Sequence, residues 1–225
     1  MKKLFEIINK NLSFYNLIGF STKPKVATIL PLITIAREKG SGGRPIAYLV
    51  QKKLGDPWKV YHKEIVDQIA KETHQQKELI EEIDEKKINA VGRIIEEALG
   101  KRYPSLSTYY KHLVKILTTI GQRGNAIVVG RGVNFIFPNS LKIRIICDKD
   151  QRIKWMMQYE KISKKEAINR IEKSDQDRLL FIKEIYKHDV RKANHYDLII
   201  KTGEKLSIDD AAKIIVLTAK KRFNF

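Results

Sequence analysis

Ile33-Thr34-Ile35-Ala36-Arg37-Glu38-Lys39-Gly40-Ser41-Gly42-Gly43-Arg44-Pro45-Ile46 runs from apolar, β-branched residues into a glycine-rich turn and then into an amphipathic segment. That order predicts a buried strand, a tight loop and a helix. Glycines let a backbone wrap closely around an anion, and the N–H groups of the loop and helix start point at it with a favourable dipole. The stretch therefore implies a phosphate-binding loop. It departs from the signature G-x-x-x-x-G-K-[ST] where the chemistry is sharpest, because Gly43 and Arg44 take the places of the lysine and of the magnesium-ligating hydroxyl. Arg37, Lys39 and Arg44 crowd the same turn, and three cations there repel one another unless an anion is normally bound.

Reading outward, Val26 to Ala36 is nearly all apolar, as a central parallel strand buried on both faces should be. Pro45 suits the first turn of a helix, and Ile46, Leu49, Val50 and Leu54 form its apolar face before Gly55 ends it. A short strand is expected near Trp58 to Tyr61. Helices follow from near Lys63, from Gln75 to Leu99 and from Ser107 to Ile120. Ala126 to Val129 and Leu141 to Cys147 read as two more strands, the first ending in Gly130-Arg131-Gly132. From Asp148 to His195 the pattern is helical and highly charged, with Ser163-x-x-Glu166 as a capping box. Tyr196 to Lys201 is the last strand and Ser207 to Arg222 the closing helix. Strands alternating with helices imply an α/β fold with a parallel sheet and right-handed crossovers.

Composition narrows the partners. The 225 residues carry 44 Lys+Arg against 26 Asp+Glu, a formal charge of +18, so a phosphate-rich partner is favoured over a cationic one. Nucleotides, nucleic acid and anionic lipid all qualify. The lone Cys147, inside the apolar run Ile143 to Cys147, cannot form an internal disulfide and suits a reducing cytoplasm. No run approaches the ~18 consecutive apolar residues of a membrane span. In the first 25 residues, Leu4, Ile8, Leu12, Tyr15 and Ile18 fall at helical spacing, an amphipathic extension ahead of a domain expected over residues 26–225. Residues 1–20 could lie on a membrane, meet a protein partner or pack on their own domain.

The ordered motifs Ile33 to Arg44, Tyr61-His-Lys-Glu-Ile65, Glu81-Glu-Ile-Asp-Glu-Lys86, Ile127-Val-Val-Gly-Arg131, Asp175-x-x-Arg178 and Tyr196-Asp-Leu-Ile-Ile200 together resemble the cytidylate kinase-like family of P-loop proteins. The resemblance implies a nucleoside monophosphate kinase fold: a parallel sheet flanked by helices, a helical substrate-binding insertion at about residues 58–124 and a helical lid at about 150–195. It implies transfer of the ATP γ-phosphate to a nucleoside monophosphate or other small acceptor, with ATP and Mg²⁺ as cofactors. In such kinases the loop Gly40, Ser41, Gly42, Gly43 and Arg44, with Arg37 and Lys39 beside it, would cradle the donor phosphates. Arg131 would grip the acceptor phosphate, Arg178 would close over the transferring group, and Asp175 would orient Arg178 or touch substrate. Arg44 could stand in for the missing lysine, although a guanidinium is a planar fork and not a compact point charge.

Two departures keep other readings open. The Asp-Gly-Arg-Asp segment of cytidylate kinases reads Val129-Gly130-Arg131-Gly132, without either carboxylate, so preference for cytosine does not carry over. Asp175 and Arg178 lie three apart on one helix face, where a plain ion pair would serve structure alone. A nucleotide-binding regulatory module without catalysis, or a polyanion-binding protein in which the basic surface matters most, remain the alternatives.

Overall fold

The computed structural model describes residues 30–62, 117, 120–121 and 123–225. The N-terminal extension, and the helices expected from Lys63 through about residue 116, lie outside the described residues.

Strand β1 (Leu32–Arg37) begins just after Pro31, whose missing N–H cannot extend the ladder; Leu30 and Pro31 are not strand, so the expected start at Val26 is not met there. Helix α1 (Gly43–Leu54) ends at Gly55, as the sequence implies, and β2 (Lys59–Tyr61) follows. Strand β3 (Ala126–Val129) leads into a single helical turn, α2 (Val133–Ile136), too short for any periodic signal. Strand β4 (Leu141–Cys147) matches its apolar run. Helices α3 (Lys149–Glu160) and α4 (Lys164–Tyr186) fill the charged stretch, with a 3₁₀ turn at Ala193–His195. Only half of the capping box forms. Ser163 Oγ accepts from the Glu166 N–H, while the Glu166 carboxylate pairs forward with Arg170. Strand β5 (Leu198–Thr202) starts two residues later than Tyr196, and α5 (Ile208–Phe223) is capped by Ser207.

The five described strands are all parallel, in the order β2-β3-β1-β4-β5, so the fold is α/β with a parallel sheet flanked by helices. Register decides what each face holds. Ile33 pairs with Ile127 and Leu141, Ile35 with Val129 and Ile143, and Ile145 with Ile200, so alternate residues of neighbouring strands align in one continuous apolar row. Ile46, Ala47 and Val50 of α1 and Ala211, Ala212, Ile215 and Ala219 of α5 close over that row. The alanines leave room for the two helices to lie close together. The other parity mixes buried apolar Leu32, Ala126 and Val128 with polar groups: Thr34 faces the Ser140 hydroxyl at 3.4 Å, and Arg144, paired with Ala36, is buried. A slip of one residue would send Arg144 into the dry core, which is why the register is strongly specified. Helices α3 and α4 have a small core of their own, Ile153, Met156, Ala167 and Ile171. Among the described residues no helix is long and apolar enough to cross a membrane.

Candidate functional site

Beyond the end of β1 the chain turns back through Gly40 and Gly42, both left-handed with φ near +80°, a conformation that penalises any side chain. Gly42 then serves as the N-cap of α1 with no side-chain cap, and no acidic residue sits in the first turn. The first N–H groups of a helix have no intrahelical acceptor, so this helix start is left open for an anion. Ser41 does not face that opening. It is fully buried, its hydroxyl donates to the Glu38 carbonyl at 2.9 Å, and its own carbonyl accepts from the Thr202 hydroxyl at 2.9 Å. Ser41 therefore ties the loop to the tips of the sheet.

Lys39 points toward the end of α3, its Nζ 2.7 Å from Glu160 Oε1. Its backbone N–H donates to Asp175 Oδ1 at 2.7 Å, and its carbonyl accepts from Arg152 Nη1 at 3.2 Å. Asp175 also receives Arg152 Nη1 at 2.5 Å and Arg178 Nη1 at 3.1 Å. The plain Asp175–Arg178 ion pair is thus present, and Asp175 in addition holds the glycine loop to α4. Glu38 accepts the Cys147 N–H at 3.1 Å and lies 3.6 Å from Arg144 and 3.9 Å from Arg152. Burial works against the Glu160 carboxylate, but hydrogen bonds from Lys39 and Arg170 outweigh it and hold its pKa below the usual range.

A cavity of about 130 Å³ opens at the carboxyl ends of β1, β3 and β4, where ligands bind in open α/β sheets. Arg37, Arg131, Arg144, Arg178 and Arg191 line it against the carboxylates Glu38 and Asp175. Such a surplus of guanidinium favours an anionic occupant. Arg131 sits at φ +61° between Gly130 and Gly132, themselves left-handed, so a non-glycine residue is held where backbone strain is of order 1–3 kcal/mol. The buried Tyr186 hydroxyl donates to the Arg131 carbonyl at 2.7 Å, and burial, only partly offset by the Arg131 charge, raises its pKa so that it remains a donor.

The structure therefore gathers Arg37, Arg131, Asp175 and Arg178 around one cavity. Arg44 is exposed in the first turn of α1, and neither it nor Gly40–Gly43 lines that cavity; Gly43 packs against the stem of Arg37, which does. Sequence reasoning missed Arg144, Arg152, Arg191 and Glu38. For Arg144 a signal existed, a charge standing inside an apolar strand. Arg152 and Arg191 belonged to a stretch too rich in charge to single them out.

The loop geometry fits the phosphates of ATP. The described residues do not fit a protein-held Mg²⁺: Arg44 stands where a hydroxyl would ligate, Ser41 is turned inward, and Glu38 and Asp175 are engaged by arginines. Among the described residues no three His, Cys, Asp or Glu side chains lie together.

The family model of the cytidylate kinase-like family matches residues 32–204. No curated protein sequence matches the chain. Among solved structures, an uncharacterized protein from Eubacterium ventriosum is 22% identical, with a TM-score of 0.63, covering 84% of this chain and 98% of its own. TT1252 from Thermus thermophilus is 13% identical with a TM-score of 0.49, covering 85% and 97%. Shikimate kinase from Acinetobacter baumannii, solved with shikimate, is 12% identical with a TM-score of 0.48, covering 88% and 97%.

Proposed function

The chain belongs to the cytidylate kinase-like family, and from that premise we propose that it is a phosphotransferase moving the ATP γ-phosphate to a small anionic acceptor, a nucleoside monophosphate or another small phosphoacceptor. The observation that carries this reading is the convergence of Arg37, Arg131, Arg144 and Arg178 on a cavity beside an uncapped helix start. Phosphoryl transfer needs little covalent help from a protein. It needs donor and acceptor held in line while charge spreads over the transferred oxygens.

In this reading the backbone from Gly40 to Arg44 receives the donor phosphates and Arg131 the acceptor's anionic group. Arg178, steered by Asp175, reaches the group in transit from the lid side. Strain at Arg131 keeps its side chain aimed before substrate arrives. Magnesium would come with the nucleotide, held by phosphate oxygens and water, which is how this ion is commonly bound at phosphate sites. The single buried thiol, Cys147, whose pKa burial raises, suits a reducing cytoplasm.

The deciding experiment incubates the full chain with Mg²⁺, γ-labelled ATP and a panel of nucleoside monophosphates and small hydroxyl or phosphate acceptors. Label should pass to at least one acceptor, and Arg131→Ala should lower that transfer by about tenfold or more. The missing ligating hydroxyl at position 44 favours a second reading, a nucleotide-binding module without turnover. ATP binding with no transfer across the whole panel would establish it.

A further inference from the structure

The two departures of the loop from the phosphate-loop signature, an arginine in place of its first glycine and a glycine in place of its lysine, meet in space. A β-carbon on Gly43 would lie 2.6 Å from Arg37 Cβ and 2.9 Å from Arg37 Cγ, distances that no pair of carbon atoms tolerates. The Arg37 stem therefore already fills the volume into which any side chain at position 43 would grow. Strand parity explains this. Arg37 follows Ile33 and Ile35 on the face of the sheet covered by α1, so its Cβ leaves β1 against the first residue of that helix. At its far end the Arg37 guanidinium packs over Gly130, where a β-carbon would strike Nη1. Gly43 and Gly130 are the two glycines that give this one side chain its path.

We infer that Arg37 takes the place of the phosphate-loop lysine: the chain exchanges glycine and cation between positions 37 and 43, and the positive charge enters the cradle from the strand instead of from the helix. This rests on the phosphotransferase reading. It makes Arg37, rather than the exposed Arg44, the side chain that touches the transferred phosphate, because Arg37 lines the cavity that Arg131 and Arg178 share. Its planar fork can hold two phosphate oxygens at once and needs no burial of a flexible ammonium stem. The exchange also makes a prediction that no simple loss of the lysine makes. Lysine at 43 and arginine at 37 exclude each other, so the signature can be restored only by changing both.

The test measures MgATP affinity by calorimetry and thermal melting for wild type, Arg37→Ala, Arg37→Lys, Arg44→Ala, Gly43→Lys and the double variant Arg37→Gly with Gly43→Lys. Arg37→Ala should bind MgATP about tenfold or more weakly, Arg37→Lys should recover part of that loss, and Arg44→Ala should stay within about threefold of wild type. Gly43→Lys alone should melt lower and bind poorly. The double variant should regain both melting temperature and MgATP affinity. Wild-type affinity in Arg37→Ala together with a loss in Arg44→Ala would overturn the assignment, as would a single Gly43→Lys variant no worse than the double. A wild type that does not bind MgATP would instead overturn the phosphotransferase reading and, with it, the phosphate role of Arg37. Even then, relief of the Gly43→Lys melting defect by Arg37→Gly would show the steric exchange on its own.

Discussion

The apolar face of the sheet and the α3–α4 unit are held by different physics. On that face, Ile33, Ile35, Ile143 and Ile145 are sealed beneath α1 and α5 with almost no exposure. Helices α3 and α4 have a separate small core and are joined to the glycine loop through Asp175, Arg152, Lys39 and Glu160. Apolar burial offers no alternative partner, so the first region is committed to one arrangement. Partly exposed charged groups such as Lys39 and Glu160 can exchange a protein partner for water at small net cost, so the second attachment is the weaker of the two. The glycine loop lies between them, anchored to the sheet tips by Ser41 and reached from α4 by Asp175.

The largest test of this contrast is Ile143→Ala, in a fully buried position. Truncating such a side chain costs about 2–5 kcal/mol, which urea denaturation would read directly. A loss under about 1 kcal/mol would show that the apolar face is no firmer than the other. Asp175→Asn should cost less, about 1–3 kcal/mol, because its side chain is 29% exposed and water replaces part of what is removed. Its signature is local: protease should cut within α3 and α4 markedly faster while the overall melt moves little. If it lowers the melt as far as Ile143→Ala does, α3 and α4 belong to the main core and the contrast fails.

A smaller effect is expected from acid. His195 packs edge-on to the Phe135 ring and beside His188; burial and the His188 charge hold its pKa below 6.5. Lys192 and Lys142 add to that shift and Asp189 opposes it. The unfolded chain thus takes up a proton first as pH falls below 6.5. The stability this neutral ring contributes is present above that pH and is lost as pH drops through the folded-state value. Amide exchange across residues 188–196 should accelerate between pH 7 and pH 5 in wild type but not in His195→Gln; equal acceleration in both would locate the titration elsewhere. The smallest effect should come from 1 M salt. Screening the Lys39–Glu160 pair should loosen the contact between α3 and the glycine loop by less than about 1 kcal/mol and leave the apolar face unmoved.

Much of the fold was legible because local rules and tertiary demands agree. β-Branched runs at Ile33 to Ile35 and Ile143 to Cys147, the stop at Gly55 and the caps at Ser163 and Ser207 each carry their own signal. Two misses have local causes. Pro31 bounds β1 inside an apolar run that composition alone would read as one strand, and the single turn of α2 has no period to read. In the site, Arg131, Asp175 and Arg178 were readable from motifs, whereas Arg152 is an ordinary helical arginine until α3 brings it beside Asp175 and the Lys39 carbonyl.

Backbone propensity and periodicity act over a few residues, so the order of strand, glycine loop and helix could be read from the chain alone. So could the excess of positive charge, which favours an anionic over a cationic partner. Which cation reaches the cavity was settled only by packing. Arg44 is nearer than Arg37 to the glycines along the chain, but strand parity and the missing β-carbon at Gly43 route Arg37 toward Gly130 and the cavity, while Arg44 faces outward from the first turn of α1. Direction of a side chain is set by the packing of the elements that carry it, and that information is spread over residues far apart in the chain.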